Sequence, residues 1–118
     1  MDFANNYNAQ PYKGTKIERT NAAWKELLPA DVYRIMREHK TERAYSSPLN
    51  DNYSPGTYMC AACKLSLFSS TAKYDSHTGW PSFWQPIDPS HVGYTLDKSL
   101  FSTRVEVHCN RCEGHLGH

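Results

Sequence analysis

The stretch Cys109-Asn110-Arg111-Cys112-Glu113-Gly114-His115-Leu116-Gly117-His118 puts two thiols and two imidazoles into ten residues, and its reading decides the fold. Its counterpart is Cys60-Ala61-Ala62-Cys63, and these two C-x-x-C pairs hold all four cysteines of the 118-residue chain. Each pair can turn both sulfurs toward one point, and four thiolates make the closed tetrahedral shell that structural zinc prefers. The alternative is two redox pairs of the thioredoxin type, which need a helix N-terminus after the first Cys to lower its pKa. Neither the residues after Cys60 nor those after Cys109 read as such a start. Nothing resembling an export signal points to an oxidising compartment, so metal is favoured over disulfide. Residues 64–108 separate the pairs, whereas simple zinc ribbons space their knuckles by about 15–20 residues. The metal is therefore expected to clip distant parts of a larger sheet, where closing a long loop constrains the unfolded chain most.

A chain of 13.5 kDa fits one domain with one modest core. The hydrophobic fraction is 39% and the mean hydropathy −0.71, so that core is thin and must lean on the aromatics (13%) or on a staple. A formal charge of +1 with scattered Lys and Arg gives no basic face for a phosphate backbone, which disfavours nucleic acid. No apolar run approaches the roughly 20 residues that cross a bilayer, which disfavours a membrane, and the polar start lacks the apolar core of a secretory signal. A cytoplasmic location is the expectation.

Residues 1–19 are polar and without periodicity, and read as a mobile N-terminal arm with no role in the fold; the domain is expected over 20–118. Trp24, Leu27 and Leu28 fit a short helix ending at Pro29, which can open a second helix carrying Val32, Ile35 and Met36 at helical spacing. That stripe reads as a face packed on the core. Residues 41–55, rich in Ser, Asn, Asp and Pro, read as a loop. Thr57-Tyr58-Met59, Leu65 to Phe68, and the alternating Ser102 to Val107 read as strands, each next to a cysteine pair.

Between the pairs lies Tyr74-Asp75-Ser76-His77-Thr78-Gly79-Trp80-Pro81-Ser82-Phe83-Trp84. A Gly-Trp-Pro turn followed by Ser-Phe-Trp spends large aromatic area on irregular backbone, either to fill a core or to line a pocket; composition favours the core, Trp84 included. His77, His91 and His108 have only structural readings. His115, three residues after Cys112, could compete as a metal ligand, although four thiolates already close the shell.

The order C-x-x-C, then K-Y-D-S-x-x-G-W-P-S-F, then R-V-E-V-x-C-x-x-C, then H-L-G-H resembles the methionine-R-sulfoxide reductase B family, from about Trp24 to His118. The resemblance implies a mainly β (α+β) fold of two small antiparallel sheets behind short N-terminal helices, clipped by a zinc ion on Cys60, Cys63, Cys109 and Cys112. It implies reduction of the R epimer of methionine sulfoxide, in proteins or free, to methionine, one step back down the oxidation ladder. Trp80 matches the family position that holds the substrate methyl group; His115 and His118 match those that organise solvent and polarise the sulfoxide oxygen. The chemistry agrees: the methyl wants an apolar wall, the S–O dipole wants donors, and a His can protonate the departing oxygen near neutral pH. As the final residue, His118 could instead be frayed.

The resemblance also sets two departures. In that family the attacking thiolate follows H-L-G-H, in a segment like R-Y-C-x-N, and this sequence ends before it. The position just ahead of Gly79-Trp80 that often carries a resolving cysteine is Thr78. With every thiol assigned to zinc, the chain as written is expected not to turn over. The absent segment would supply a strand, so an open sheet edge, self-association or a complementing chain is expected. A truncated reductase is preferred over a split enzyme or a degenerate domain. A complete enzyme would have its sulfenic acid reduced directly by thioredoxin or a small thiol. The competing functions are a zinc-stapled module that binds oxidised peptides without catalysis and, more weakly, a nucleic-acid zinc ribbon.

Overall fold

The computed structural model describes residues 2–3, 10–98 and 103–118, the first two as backbone. Helix α1 (Asn21–Leu27) starts where the Thr20 hydroxyl accepts the Ala23 N–H at 3.2 Å. It stops before Pro29, which occupies the N-cap of helix α2 (Ala30–Arg37) rather than its first turn. Trp24 and Met36 are buried, and two guanidinium groups, Arg19 and Arg37, lie 5.4 Å from the Trp24 ring. The expected apolar stripe does pack on the core, with Met36 inside it and Leu28, Val32 and Ile35 against it. Val32 and Ile35 stay half-buried because α2 also borders an open cleft, and Leu27 is 59% exposed because a seven-residue helix turns little of its surface inward.

The remaining elements are strands. β1 (Asp2–Phe3) pairs in parallel with β5 (Ser82–Phe83), which pairs antiparallel with β4 (Lys73–Tyr74). β2 (Thr57–Met59) and β3 (Ser66–Ser69) form a hairpin whose connection is the first cysteine pair. β6 (Val92–Lys98), β7 (Thr103–Cys109) and β8 (His115–Gly117) form a meander, with the second cysteine pair between β7 and β8. The fold is mainly β, as expected, but among the described residues the strands form three small sheets where two were expected, because there the β2–β3 hairpin pairs with no other strand. β6 is a strand the sequence reading does not name, although Val92, Tyr94 and Leu96 alternate along it. Among the described residues no helix is long and apolar enough to cross a membrane.

The proposed arm of residues 1–19 lies partly outside the described residues, at 1 and 4–9. Its remainder touches the body. Ile17 N–H donates to the Arg111 carbonyl at 2.8 Å, Lys16 pairs with Glu113, the Asn110 amide donates to the Gln10 carbonyl, and Tyr12 and Ile17 pack against the core. Tyr12 and Ile17 supply apolar area in an otherwise polar segment, and their contacts put it beside the second cysteine pair.

The core is aromatic. Phe83 stacks on Phe68 with centroids 4.4 Å apart and meets the edge of Tyr58 at 4.9 Å, and Leu67, Val92 and Val107 close around them. The next residue, Trp84, is 48% exposed, which corrects its assignment to the core: the chain leaves β5 there, and its N–H pairs with the Ala72 carbonyl while the indole faces outward. Phe83→Ala is expected to cost about 3–5 kcal/mol in denaturant unfolding. Trp84→Ala is expected to stay within about 0.5 kcal/mol of the parent.

Candidate functional site

The two cysteine pairs form matching turns. Cys60 N–H donates to the Leu65 carbonyl and Lys64 N–H to the Cys60 carbonyl; likewise Cys109 N–H donates to the Gly114 carbonyl and Glu113 N–H to the Cys109 carbonyl. The residue after each second cysteine, Lys64 (φ 67) or Glu113 (φ 64), takes the left-handed conformation that reverses the chain. Gly114 completes the second turn, where an added Cβ would lie 2.6 Å from Met36 Cε.

These turns bring the four sulfur atoms within 4.8 Å of one another. Cys60 and Cys112 sulfurs are 3.7 Å apart, and Cys63 and Cys109 sulfurs 3.6 Å. Four sulfurs about 2.3 Å from a central ion have tetrahedral edges of about 3.8 Å, so the cluster has the dimensions of a four-thiolate metal shell. All four cysteines are free, and these separations far exceed a disulfide bond of about 2.05 Å. Cys60, Cys109 and Cys112 are pushed up to about 12: hydrogen bonds among the sulfurs act in both directions, and burial and repulsion between neighbouring thiolates raise the total. Burial also pushes Cys63 up, but the Arg111 guanidinium, 3.4 Å from its sulfur, and the Leu65 N–H outweigh it and leave that thiol below its ordinary value. A group of thiols this close can ionise together only around a cation, which is the chemistry of a metal site. His115 is not part of the sulfur cluster.

Beside this centre lies a cleft of about 370 Å3 that collects the other three residues singled out in the sequence, Trp80, His115 and His118. Gly79 (φ 90) makes the turn that presents Trp80; a Cβ there would lie 2.8 Å from Ala44 and Tyr45. The Gly79 carbonyl accepts the Tyr45 N–H at 2.7 Å and Trp80 Nε1–H donates to the Glu42 carbonyl at 2.9 Å, which fixes the half-buried indole against the 41–55 loop. Ser76 bridges Thr78 and Ser82 through hydroxyl contacts of 2.7 and 2.6 Å behind that turn. The opposite wall comes from α2, through Val32 and Ile35, and from β8.

β8 carries His115, and His118 directly follows it. His115 is 3% exposed, its Nδ1 3.0 Å from Glu106 Oε1, and its ring centroid is 5.2 Å from that of His118. His118 is half-buried and held by Asp97 at 3.2 Å from Nε2, so it is anchored and not frayed. Sequence reasoning missed Glu106. Strict alternation along β7 would turn it away from buried Val107, yet both are buried, because β7 is the central strand and has one face on the core and the other on the imidazoles. The Arg104-Val105-Glu106-Val107 pattern offered only a carboxylate flanked by two valines as a signal. His108, read as structural, bridges Glu106 at 3.2 Å and Glu113 at 3.1 Å. His91 meets the Ser66 carbonyl, and exposed His77 meets Asp75, both away from the cleft.

Burial pushes the Glu106 carboxyl up, but hydrogen bonds from His108 and His115 outweigh that and hold it down at about 2. A carboxyl whose folded pKa lies below its unfolded value of 4.5 stabilises the fold above that value and loses the contribution as pH falls toward 2. Stability measured from pH 6 to 2 is therefore expected to fall more steeply for the parent than for Glu106→Gln, with the gap between them closing in the acid range; parallel profiles would show that Glu106 is not held ionised.

Comparison with known proteins fits this geometry. The SelR domain family matches residues 28–118. The peptide methionine sulfoxide reductase MsrB of Leptospira interrogans is 44% identical over 103 residues, which cover 87% of this chain and 79% of that protein. The MsrB of Methanosarcina mazei is 46% identical over 103 residues (87% and 74%), and that of Saccharophagus degradans 48% over 95 residues (80% and 71%). With the family matched across both cysteine turns and the whole cleft, the chain belongs to the SelR-domain, MsrB-type methionine sulfoxide reductases.

Proposed function

We propose that the cleft binds the R epimer of methionine sulfoxide, in proteins or free, and that the sulfur cluster holds a structural zinc ion. The observation that carries the reading is the convergence of one indole face and two anchored imidazoles on a single cleft. Trp80 offers the apolar wall for the S-methyl group. His115, with one ring nitrogen engaged by Glu106, keeps the other for the sulfoxide oxygen, and His118 on Asp97 is the second donor. Bound zinc would supply rigidity, closing the loop between residues 60 and 112.

Reduction of the sulfoxide needs a thiolate that attacks sulfur, takes the oxygen as a sulfenic acid and releases methionine as the thioether; a second thiol then condenses with the sulfenic acid, losing water and forming a disulfide, and a further thiol of the reductant opens that disulfide to restore the first thiol. The four cysteines of residues 1–118 are all in the cluster, so the attacking thiolate is not among them. Residues 1–118 alone therefore bind the sulfoxide without reducing it. Thr78, hydrogen-bonded to Ser76 where a resolving thiol would sit, favours direct reduction of the sulfenic acid by thioredoxin or a small thiol. We further read the protein as a cytoplasmic repair enzyme for oxidised methionine. Its partners are then the oxidised protein and the reductant, with neither nucleic acid nor membrane among them.

Incubation of residues 1–118 with (R)-methionine sulfoxide and dithiothreitol is expected to give no methionine, whereas the same chain extended through a family-type R-Y-C-x-N segment is expected to give it. Methionine from residues 1–118 would overturn the thiol assignment. Trp80→Ala is expected to weaken binding of a peptide carrying (R)-methionine sulfoxide about tenfold or more, the scale of losing an anchoring indole. Unchanged affinity would remove Trp80 from the site.

A further inference from the structure

We propose that His39, Glu106 and His115 form a second metal site, one for a divalent first-row transition ion, beside the cleft wall that His115 lines. One ligand atom from each residue lies within 4.8 Å of the others. His115 Nδ1 and Glu106 Oε1 are 3.0 Å apart, the span of two donors at right angles on an ion about 2.1 Å from each. An ion there would take the place of the hydrogen bond between the two groups. Both are buried and already in contact with each other, so two of the three donors are preorganised.

The third donor is placed by the backbone. His39 follows α2 and its C-cap, and adopts φ 56, the left-handed region that a non-glycine residue enters at a cost. The turn is fastened by the Lys40 N–H donating to the Arg34 carbonyl at 3.1 Å, and it sets the His39 ring 5.2 Å from that of His115. Among the described residues the exposed His39 ring makes no hydrogen bond, so its nitrogens are available to a ligand. The charged groups lining the cleft, Lys40 and Arg104 against Asp31 and Glu42, balance in sign.

The donor set defines the ion class. Two imidazoles and one carboxylate suit Ni2+, Cu2+ or Zn2+, whereas Mg2+ and Ca2+ seek all-oxygen shells. Three protein ligands leave positions for water, and the softer sulfur cluster takes a different ion first. Occupancy would engage the imidazole assigned above to the sulfoxide oxygen; that consequence rests on the proposed function, and the site itself does not.

The test is calorimetric titration with Ni2+ of the untagged protein carrying one equivalent of zinc, enough for the sulfur cluster alone. One saturable equivalent is expected, insensitive to excess Mg2+. His39→Ala, an exposed substitution, should weaken it by more than about tenfold, the loss that removal of even outer partners of metal sites produces. His77→Ala, at an exposed His–Asp pair away from the cleft, should leave it unchanged. Absence of a saturable equivalent, or binding that His39→Ala leaves intact or that His77→Ala weakens equally, would overturn the site. Because this readout needs no sulfoxide, its failure is distinct from failure of the proposed function.

Discussion

Four sulfur atoms, drawn from two turns far apart in sequence, are the constraint on which the rest of the structure depends. Among the described residues the β2–β3 hairpin and the β7–β8 connection share no sheet; the contacts of Cys60 with Cys112 and of Cys63 with Cys109 join them, together with the Arg111 guanidinium on Cys63 and the common core. With a thin aromatic core and short strands, a clip across that span constrains the unfolded chain where hydrophobic burial alone gives least. β8 leaves the second turn directly, so the sulfur cluster also sets where His115 and His118 stand relative to Trp80.

The cleft is thus a by-product of the clip. Its indole wall comes from a glycine-dependent turn docked by two backbone contacts on the 41–55 loop, and its polar wall from the strand that the second cysteine turn launches. Glu106 connects the layers: it lies on the strand that ends in Cys109, and its two oxygens engage His115 on one side and His108 on the other. His108 continues to Glu113 and Lys16, so the polar interior of the site reaches the surface at the N-terminal segment.

What was legible in the sequence was what is local. The C-x-x-C spacings fixed both turns, Thr57-Tyr58-Met59 matched β2 residue for residue, and Pro29 separated the helices, because each depends on neighbours within a few positions. Trp80, His115 and His118 could be named from motif order and are brought to one cleft. What stayed hidden depended on tertiary cover. The burial of Glu106 follows from β7 having both faces occupied, the exposure of Trp84 from the chain leaving β5, and the openness of Val32 and Ile35 from α2 lining a cleft; no periodicity encodes these. Tyr12 and Ile17 look like stray apolar residues in a polar segment until the second cysteine turn they pack beside is in place.

The central claim, that all four thiols serve as a metal clamp, is tested most directly by weighing the folded protein under native conditions alongside counting its reactive thiols. The account predicts one divalent ion held by the four thiols of each chain, with those thiols unreactive until a chelator removes that ion and the fold is lost with it. A folded, metal-free protein whose cysteines pair as disulfides would contradict it.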